Sequence, residues 1–382
     1  MTLVRRAWVG PALSLIAATA AAQSSQFGIR GLGLPMRPLS PRATATGGAL
    51  GLFDIESSLN PAAVAPIIQF TSLLTTSQSF RSSTNPFGSA SGRDGRFPQI
   101  VAAGPIGGTR LSGALSVSGY TDRSFSLGTQ DTVVLRGEPV AVFDTLSSTG
   151  GLTDLRLAVA WKASDVLHVG LAAHVIPGSN RIDNRRSFAD SSYGGAAERS
   201  EISYLGFGVS GGVTLRIVPR LTVAGIFRSD GHTRVERDTT FLGRTALPIT
   251  IGGGLRWQPS LRLMMAASYL RRNWSVADAD IKAQGGIGAA DSYELAGGVE
   301  ILKDSRNPGH RPWRLGAHYS TLPFPLRAGK QAHEFGIAAG TGLRFTGGRG
   351  GLDLALEQLW RSDGDGYTER ATVVTLGVSI RP

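Results

Sequence analysis

The sequence predicts an all-β fold: a transmembrane antiparallel β-barrel of about fourteen strands with an N-terminal hatch or plug segment. Three observations carry that expectation. From about residue 66 onward apolar residues recur with period two, the mark of strands with two unlike faces. The links between those strands alternate short and long, as tight periplasmic turns and external loops do in a membrane barrel. Trp161, Trp257 and Trp313 adjoin short turns and share the parity of the apolar face, which suits an aromatic girdle, while Trp274 and Trp360 fall near the opposite strand ends.

Residues 1–22 form a separable secretory signal. Arg5 and Arg6 supply the basic n-region, Ala7 to Ala18 the apolar stretch, and Ala20-Ala21-Ala22 the small residues before a cleavage point ahead of Gln23. The formal charge is +11, and loss of Arg5 and Arg6 with the signal leaves +9 on the protein that leaves the cytoplasm. A basic balance there points to anionic outer-membrane lipid and lipopolysaccharide as partners. No basic run interleaved with aromatics supports nucleic acid. The absence of Cys removes disulfides, thiolate metal sites and cysteine nucleophiles. No apolar run after residue 25 is long enough for a membrane helix.

Residues 23–66 differ in kind from the strands beyond them. Pro35, Pro38 and Pro41 break regular structure, and Asn60-Pro61 is a turn initiator with proline placed for the first turn of a short helix. A segment this irregular cannot face lipid, because its backbone groups need partners. Its apolar residues Leu50, Leu52, Phe53 and Leu59 suit a plug folded into the barrel mouth.

Residues 67–382 are the barrel. Leu155, Leu157, Val159 and Trp161 alternate with Arg156, Ala158, Ala160 and Lys162, and Leu352, Leu354 and Leu356 alternate with Asp353, Ala355 and Glu357. Partition at turn signals gives strands at 67–80, 97–106, 109–120, 151–163, 166–176, 201–217, 220–230, 245–257, 260–274, 292–303, 312–321, 332–346, 350–361 and 370–381. The links 81–96, 121–150, 177–200, 231–244 and 275–291 are the expected external loops. The inner face carries Gly, Ala, Ser, Thr and charge, with few bulky groups.

Alternation puts Lys162, Arg216, Arg256, Arg262, Arg314, Arg344 and Arg381 on that inner face near the periplasmic ends, a candidate cationic rim. These are solvated rim charges that pair with acids across strands, or they dock a plug or an anionic solute. Glu294, Glu300, Glu334, Asp353 and Glu357 are the expected lumen acids, suited to pairing with the arginines. His168 and His174 share a face but lie about 20 Å apart along one strand, too far to hold one metal. His318 and Glu334 are expected as neighbours on adjoining strands. A phospholipase-type barrel needs a serine beside a lumen- or membrane-facing histidine, and serine is too abundant for spacing to single one out. No nucleotide fingerprint stands in a strand–helix context, so neither a cofactor nor an enzyme activity is expected.

The stretch "RATATGGALG" followed by Asp54 and by Asn60-Pro61-Ala62, just ahead of the first strand, resembles the FadL family of outer-membrane transporters. "RLGAHYSTLPF", "HEFGIAAGTGLRF", "LDLALEQLWR" and "TLGVSIRP" extend the resemblance to the last third of the chain, and PorV-like relatives share it. The middle matches only as anonymous strands. The resemblance implies a fourteen-stranded barrel in the bacterial outer membrane, closed by a hatch that bears Asn60, Pro61 and Ala62. It implies passive uptake of a hydrophobic small molecule such as a long-chain fatty acid, leaving sideways through a kinked strand, by a monomer. The chain departs from common barrels in ending Ile380-Arg381-Pro382 rather than on an aromatic residue. The alternative class is a structural or partner-binding barrel, like the secretion-associated PorV, which needs long, sticky external loops. An open porin would leave residues 23–66 without a place.

Overall fold

The computed structural model describes residues 25–303 and 311–381; the signal segment 1–22 lies outside the described residues. Fourteen wall strands run antiparallel through these residues. They are β1 (Thr71–Asn85), β2 (Gly88–Arg96 and Gln99–Pro105), β3 (Leu111–Asp122 and Phe125–Leu135), β4 (Glu138–Lys162), β5 (Leu167–Phe188) and β6 (Ala196–Val218). β7 (Leu221–Ser229 and His232–Arg237) and β8 (Thr240–Ala246 and Ile249–Trp257) come next. The wall continues with β9 (Leu263–Arg272), β10 (Ser292–Ile301), β11 (Trp313–Thr321), β12 (His333–Phe345), β13 (Gly350–Ser362) and β14 (Thr368–Ile380). β14 pairs back onto β1, from Ser72 opposite Ile380 to Thr84 opposite Thr368, so the sheet closes and no long edge remains there.

The outer face is the apolar one. Leu155, Leu157, Val159, Leu171, Val209, Ile337 and Leu354 are all exposed. Such a belt is stable only against lipid, so the barrel spans a membrane. Trp161, Trp257 and Trp313 are 51%, 47% and 66% exposed beside the short turns, at the level of an interfacial girdle. At the other end Tyr269, Leu295, Tyr319, Phe335 and Trp360 stand side by side in register across five strands. Trp274 departs from the girdle expectation. It lies in a short 3₁₀ turn, Trp274–Ala277, folded into the lumen, and is 1% exposed.

Four of the expected external loops are instead strand. Segments 81–96, 121–150, 177–200 and 231–244 continue the wall as hairpins above the belt. Beyond Val175 the outward face of β5 turns polar (Ser179, Arg181, Asp183 and Arg185) while Ile176 and Ile182 of the inner face pack into a buried cluster, so the two-period loses its outward apolar mark although the strand continues. Cross-strand ion pairs take over from lipid contact: Arg199 Nε donates to Asp183 at 2.6 Å, and Arg186 donates to Asp144 at 2.7 and 2.6 Å. Only 275–291 is a loop, and it carries the helix α2 (Asp278–Ala283). That helix covers the upper part of β8, where Asp280 accepts from the Ala246 N–H at 2.8 Å.

Inside, the chain before β1 descends through the lumen. Ser25 and Gln26 donate to Glu369 in the upper half, and Leu34–Pro35 bridges to Asp122 and Thr121 of β3. A short helix, α1 (Pro41–Ala45), lies against β11–β14, and a 3₁₀ turn, Pro61–Val64, lies against β4, β5 and β6.

Candidate functional site

The lower hatch is fixed by its caps. Ser40 accepts from the Ala43 N–H at 3.1 Å and starts α1, with Pro41 where no N–H has to be satisfied. Asn60 does the same for the next turn: its Oδ1 accepts from the Ala62 N–H at 2.9 Å while its Nδ2 donates to the Leu52 carbonyl at 2.9 Å. Asn60 thereby ties two hatch segments together and is fully buried. The wall is cut away to receive this turn. A Cβ at Gly170 would collide with Pro61 and Ala62, and one at Gly212 with Asn60. The small inner face of β5 and β6 is therefore a seat for hatch backbone.

Charge holds the rest. Arg42 Nε and Nη2 donate to the two oxygens of Glu300 at 2.9 and 2.7 Å. Arg37 pairs with Glu357 and lies 3.5 Å from Glu294. From the wall, Arg381 reaches Glu56 of the hatch at 3.1 Å. Arg314 joins Glu300 to Asp353, at 2.7 and 2.6 Å, and Arg344 adds a second contact to Asp353 at 2.6 Å. Glu334 takes Arg361 at 2.5 Å and His318 at 3.0 Å, and Glu294 also takes Arg272 at 3.4 Å. All five acids singled out in the sequence thus face the lumen, and three of them meet hatch arginines.

The seven cations divide into different environments. Arg314, Arg344 and Arg381 belong to the ion-pair network. Arg256 lies over the Phe53 ring at 5.4 Å and donates to Thr222 at 3.3 Å, so it too touches the hatch. Lys162 pairs with Asp165 at 2.7 Å on the rim, Arg216 is exposed there, and Arg262 sits in the turn before β9. Arg37 and Arg42, which hold the hatch to the acids, are missing from the sequence-level set. Their signal was two proline-flanked cations in a nearly uncharged stretch, ahead of an acid-bearing lumen.

Between the hatch and the wall lies a cavity of about 170 Å³. It is amphipathic rather than apolar: Leu34, Met36, Leu39 and Leu359 share its lining with Arg81, Arg272, Arg361 and Glu334. Beside it the wall opens. β2 breaks at Phe97-Pro98, where proline cannot donate to the ladder, and β3 breaks at Arg123-Ser124. Below the breaks Gln99–Pro105 pairs with Ser112–Ser118, but above them Gly88–Arg96 pairs only with β1 and Phe125–Leu135 only with β4. Between these two unpaired edges is a second cavity of about 260 Å³, lined by Gln26, Ile29, Arg81, Gly92, Phe125 and Gly128 among others.

A closed fourteen-stranded barrel with a lipid-facing belt, an internal plug and a parted seam defines a bacterial outer-membrane β-barrel. The same architecture is found in solved structures. A Pseudomonas aeruginosa FadL homologue superposes with a TM-score of 0.62 at 13% identity, over 91% of this chain and 99% of its own. The CymD monoaromatic hydrocarbon channel gives 0.55 at 14% identity, over 90% and 97%. The P. putida toluene transporter TodX gives 0.55 at 13%, over 91% and 99%. At these identities the likeness establishes the fold. No family model matches the sequence, and no curated protein matches it.

Proposed function

We propose that the protein is an outer-membrane channel for hydrophobic solutes, carrying single-chain molecules such as long-chain fatty acids passively through the plugged barrel. The observation that carries this reading is the unpaired seam between the upper halves of β2 and β3. It joins the lumen, beside the start of the described chain, to the outside of the wall just above the lipid belt, which gives an apolar solute a sideways passage between the barrel and the outer leaflet. The amphipathic cavity next to it offers leucines to a tail and arginines to a head group. Residues 23–66 act as the hatch and 67–382 as the wall, with Asn60, Pro61 and Ala62 as the hatch's wall contact. The hydrocarbons named for TodX and CymD support apolar cargo of this kind.

The test uses the full chain in lipid vesicles with a fluorescent long-chain fatty acid. A Cβ at Gly128 meets open space at the seam, so Gly128→Trp fills the gap without disturbing the ladder. Uptake above that of empty vesicles, abolished by Gly128→Trp, is the expected result. Uptake untouched by the substitution removes the seam as the route. No uptake by the parent protein favours the second reading, a partner-binding barrel, for which the exposed Phe87, Val134 and Phe241 of the external hairpins are the specific observation.

A further inference from the structure

The geometry points to a second activity in the lumen wall: Ser210, His174 and Asp154 form a nucleophile–base–acid relay able to hydrolyse a short acyl ester. The three residues stand on consecutive strands, β6, β5 and β4, and all are buried on the lumen side. Asp154 Oδ1 and Oδ2 lie 2.8 and 3.2 Å from His174 Nδ1, and Ser210 Oγ lies 2.8 Å from Nε2. With the Nδ1 proton held by the carboxylate, Nε2 keeps its lone pair and accepts from the serine hydroxyl. That is the tautomer and orientation a general base needs.

The carboxylate is itself positioned. Arg228 Nη1 donates to Asp154 at 2.6 Å, and Arg228 is held in turn by Asp230, which also accepts from the Tyr120 hydroxyl at 2.8 Å. Arg156 faces His174 directly in the β4–β5 register, is fully buried, and leaves Nε and Nη2 without a partner. Arg156, opposite the base in the register, is the residue that would supply donors to a developing oxyanion.

The hatch covers the relay. Gly170 and Gly212, which seat Asn60, Pro61 and Ala62, lie on the same strands as His174 and Ser210, two to four residues below them. Next to Asp154 and Arg228 a small cavity of about 50 Å³ remains under Ser58 and Leu59, with Met36, Ile226 and Trp274 as its apolar lining. This cavity adjoins the acid end of the relay, while Ser210 and His174 lie outside its lining, so an ester reaches Ser210 when the hatch turn over Gly212 lifts. In the reaction Ser210 Oγ bonds to the ester carbonyl carbon while its proton passes to Nε2. The carbon–oxygen bond to the alcohol then breaks, and the alcohol leaves with that proton. Water, deprotonated by His174, attacks the acyl-serine and releases the acid and Ser210. The balance is ester plus water to acid plus alcohol.

The experiment treats the full chain in detergent micelles with a fluorophosphonate probe and, separately, with 4-nitrophenyl butyrate. The expected result is one adduct per chain at Ser210, lost in Ser210→Ala, with ester hydrolysis lowered by about 100-fold or more. His174→Gln slows labelling, and Asn60→Ala, which loosens the cover, speeds it. Heat-shifted gel migration confirms that each variant is a folded barrel. An adduct that persists in Ser210→Ala, or no adduct on either the parent chain or Asn60→Ala, overturns the proposal and leaves the relay as a wall-bracing network. Uptake by vesicles is unaffected by these outcomes, so this activity and the transport reading fail separately.

Discussion

Arg42 of the hatch and Glu300 of the wall meet as a fork, two charge-assisted hydrogen bonds of 2.9 and 2.7 Å between a guanidinium and a carboxylate. Arg314 shares the same carboxylate at 2.7 Å, so Glu300 neutralises a cation on each side of the hatch boundary. Removing its charge leaves Arg42 only Asp54, 3.7 Å away, and Arg314 only Asp353. Glu300→Gln is expected to weaken hatch docking by about 1.5–3 kcal/mol, the worth of a charge-assisted hydrogen bond lost from a buried site. The barrel ladder, held by backbone bonds, stays closed. Protease cleavage within residues 23–66 and single-channel conductance measure the release; an uncut, non-conducting variant would show that the pair does not hold the hatch.

The seat of Asn60 gives a different prediction, steric rather than electrostatic. Gly212→Val places a side chain where the Asn60 amide and the Pro61 ring now lie. The turn has to lift, while valine suits the strand itself. Asn60→Ala removes the cap of the 3₁₀ turn and leaves the Leu52 carbonyl without its donor, at a cost of about 1–3 kcal/mol. Hydrogen exchange across 50–64 is expected to rise in both variants and to remain slow in β5 and β6. Equal exchange in parent and variants would mean that the turn is held by its flanks alone.

The outer half of this structure is legible in the sequence because lipid imposes a uniform demand. Every second residue of a spanning strand must be apolar, so Leu155, Leu157, Val159 and Trp161 announce both the strand and its lipid face. Above the belt that demand ends, and Arg181, Asp183 and Arg185 look like loop although they continue β5. The lumen acids are legible as a face but not as partners. Arg37 and Glu357 are 320 residues apart, and only the path of the hatch brings them together. The same holds for Ser210, His174 and Asp154: each is an ordinary inner-face residue, and the relay appears only when the strand registers are fixed.

The external hairpins carry their own charge logic. The Arg186 hydrogen bonds hold the Asp144 carboxyl below its ordinary range. A depressed carboxylate pKa means that the pairing contributes fully above the ordinary value and is lost as pH falls through the lower, folded one. Arg186→Ala is therefore expected to move the Asp144 titration upward in carboxyl ¹³C NMR. Thermal unfolding of the barrel should not move, because the pair is solvent-exposed and screened. A drop in melting temperature would instead tie the hairpins to barrel stability.

Trp274 closes the upper lumen. It packs edge-on against Phe324 at 5.0 Å and Tyr120 at 6.2 Å, within a buried cluster that includes Leu152, Ile176, Ile202 and Ile281. This cluster joins the helix-bearing loop 275–291 to four wall strands, so it acts as the lid's only large apolar anchor among the described residues. Trp274→Ala removes that anchor and leaves a cavity, at about 3–5 kcal/mol for a buried aromatic truncated to alanine. The loss falls on the loop rather than on the barrel, whose strands remain paired around it. Faster hydrogen exchange across 274–289, with unchanged exchange in β9 and β10, is the expected pattern. Vesicle uptake should rise if this lid limits entry from the outside; uptake that stays constant while the loop loosens would place the limiting step below it, at the hatch.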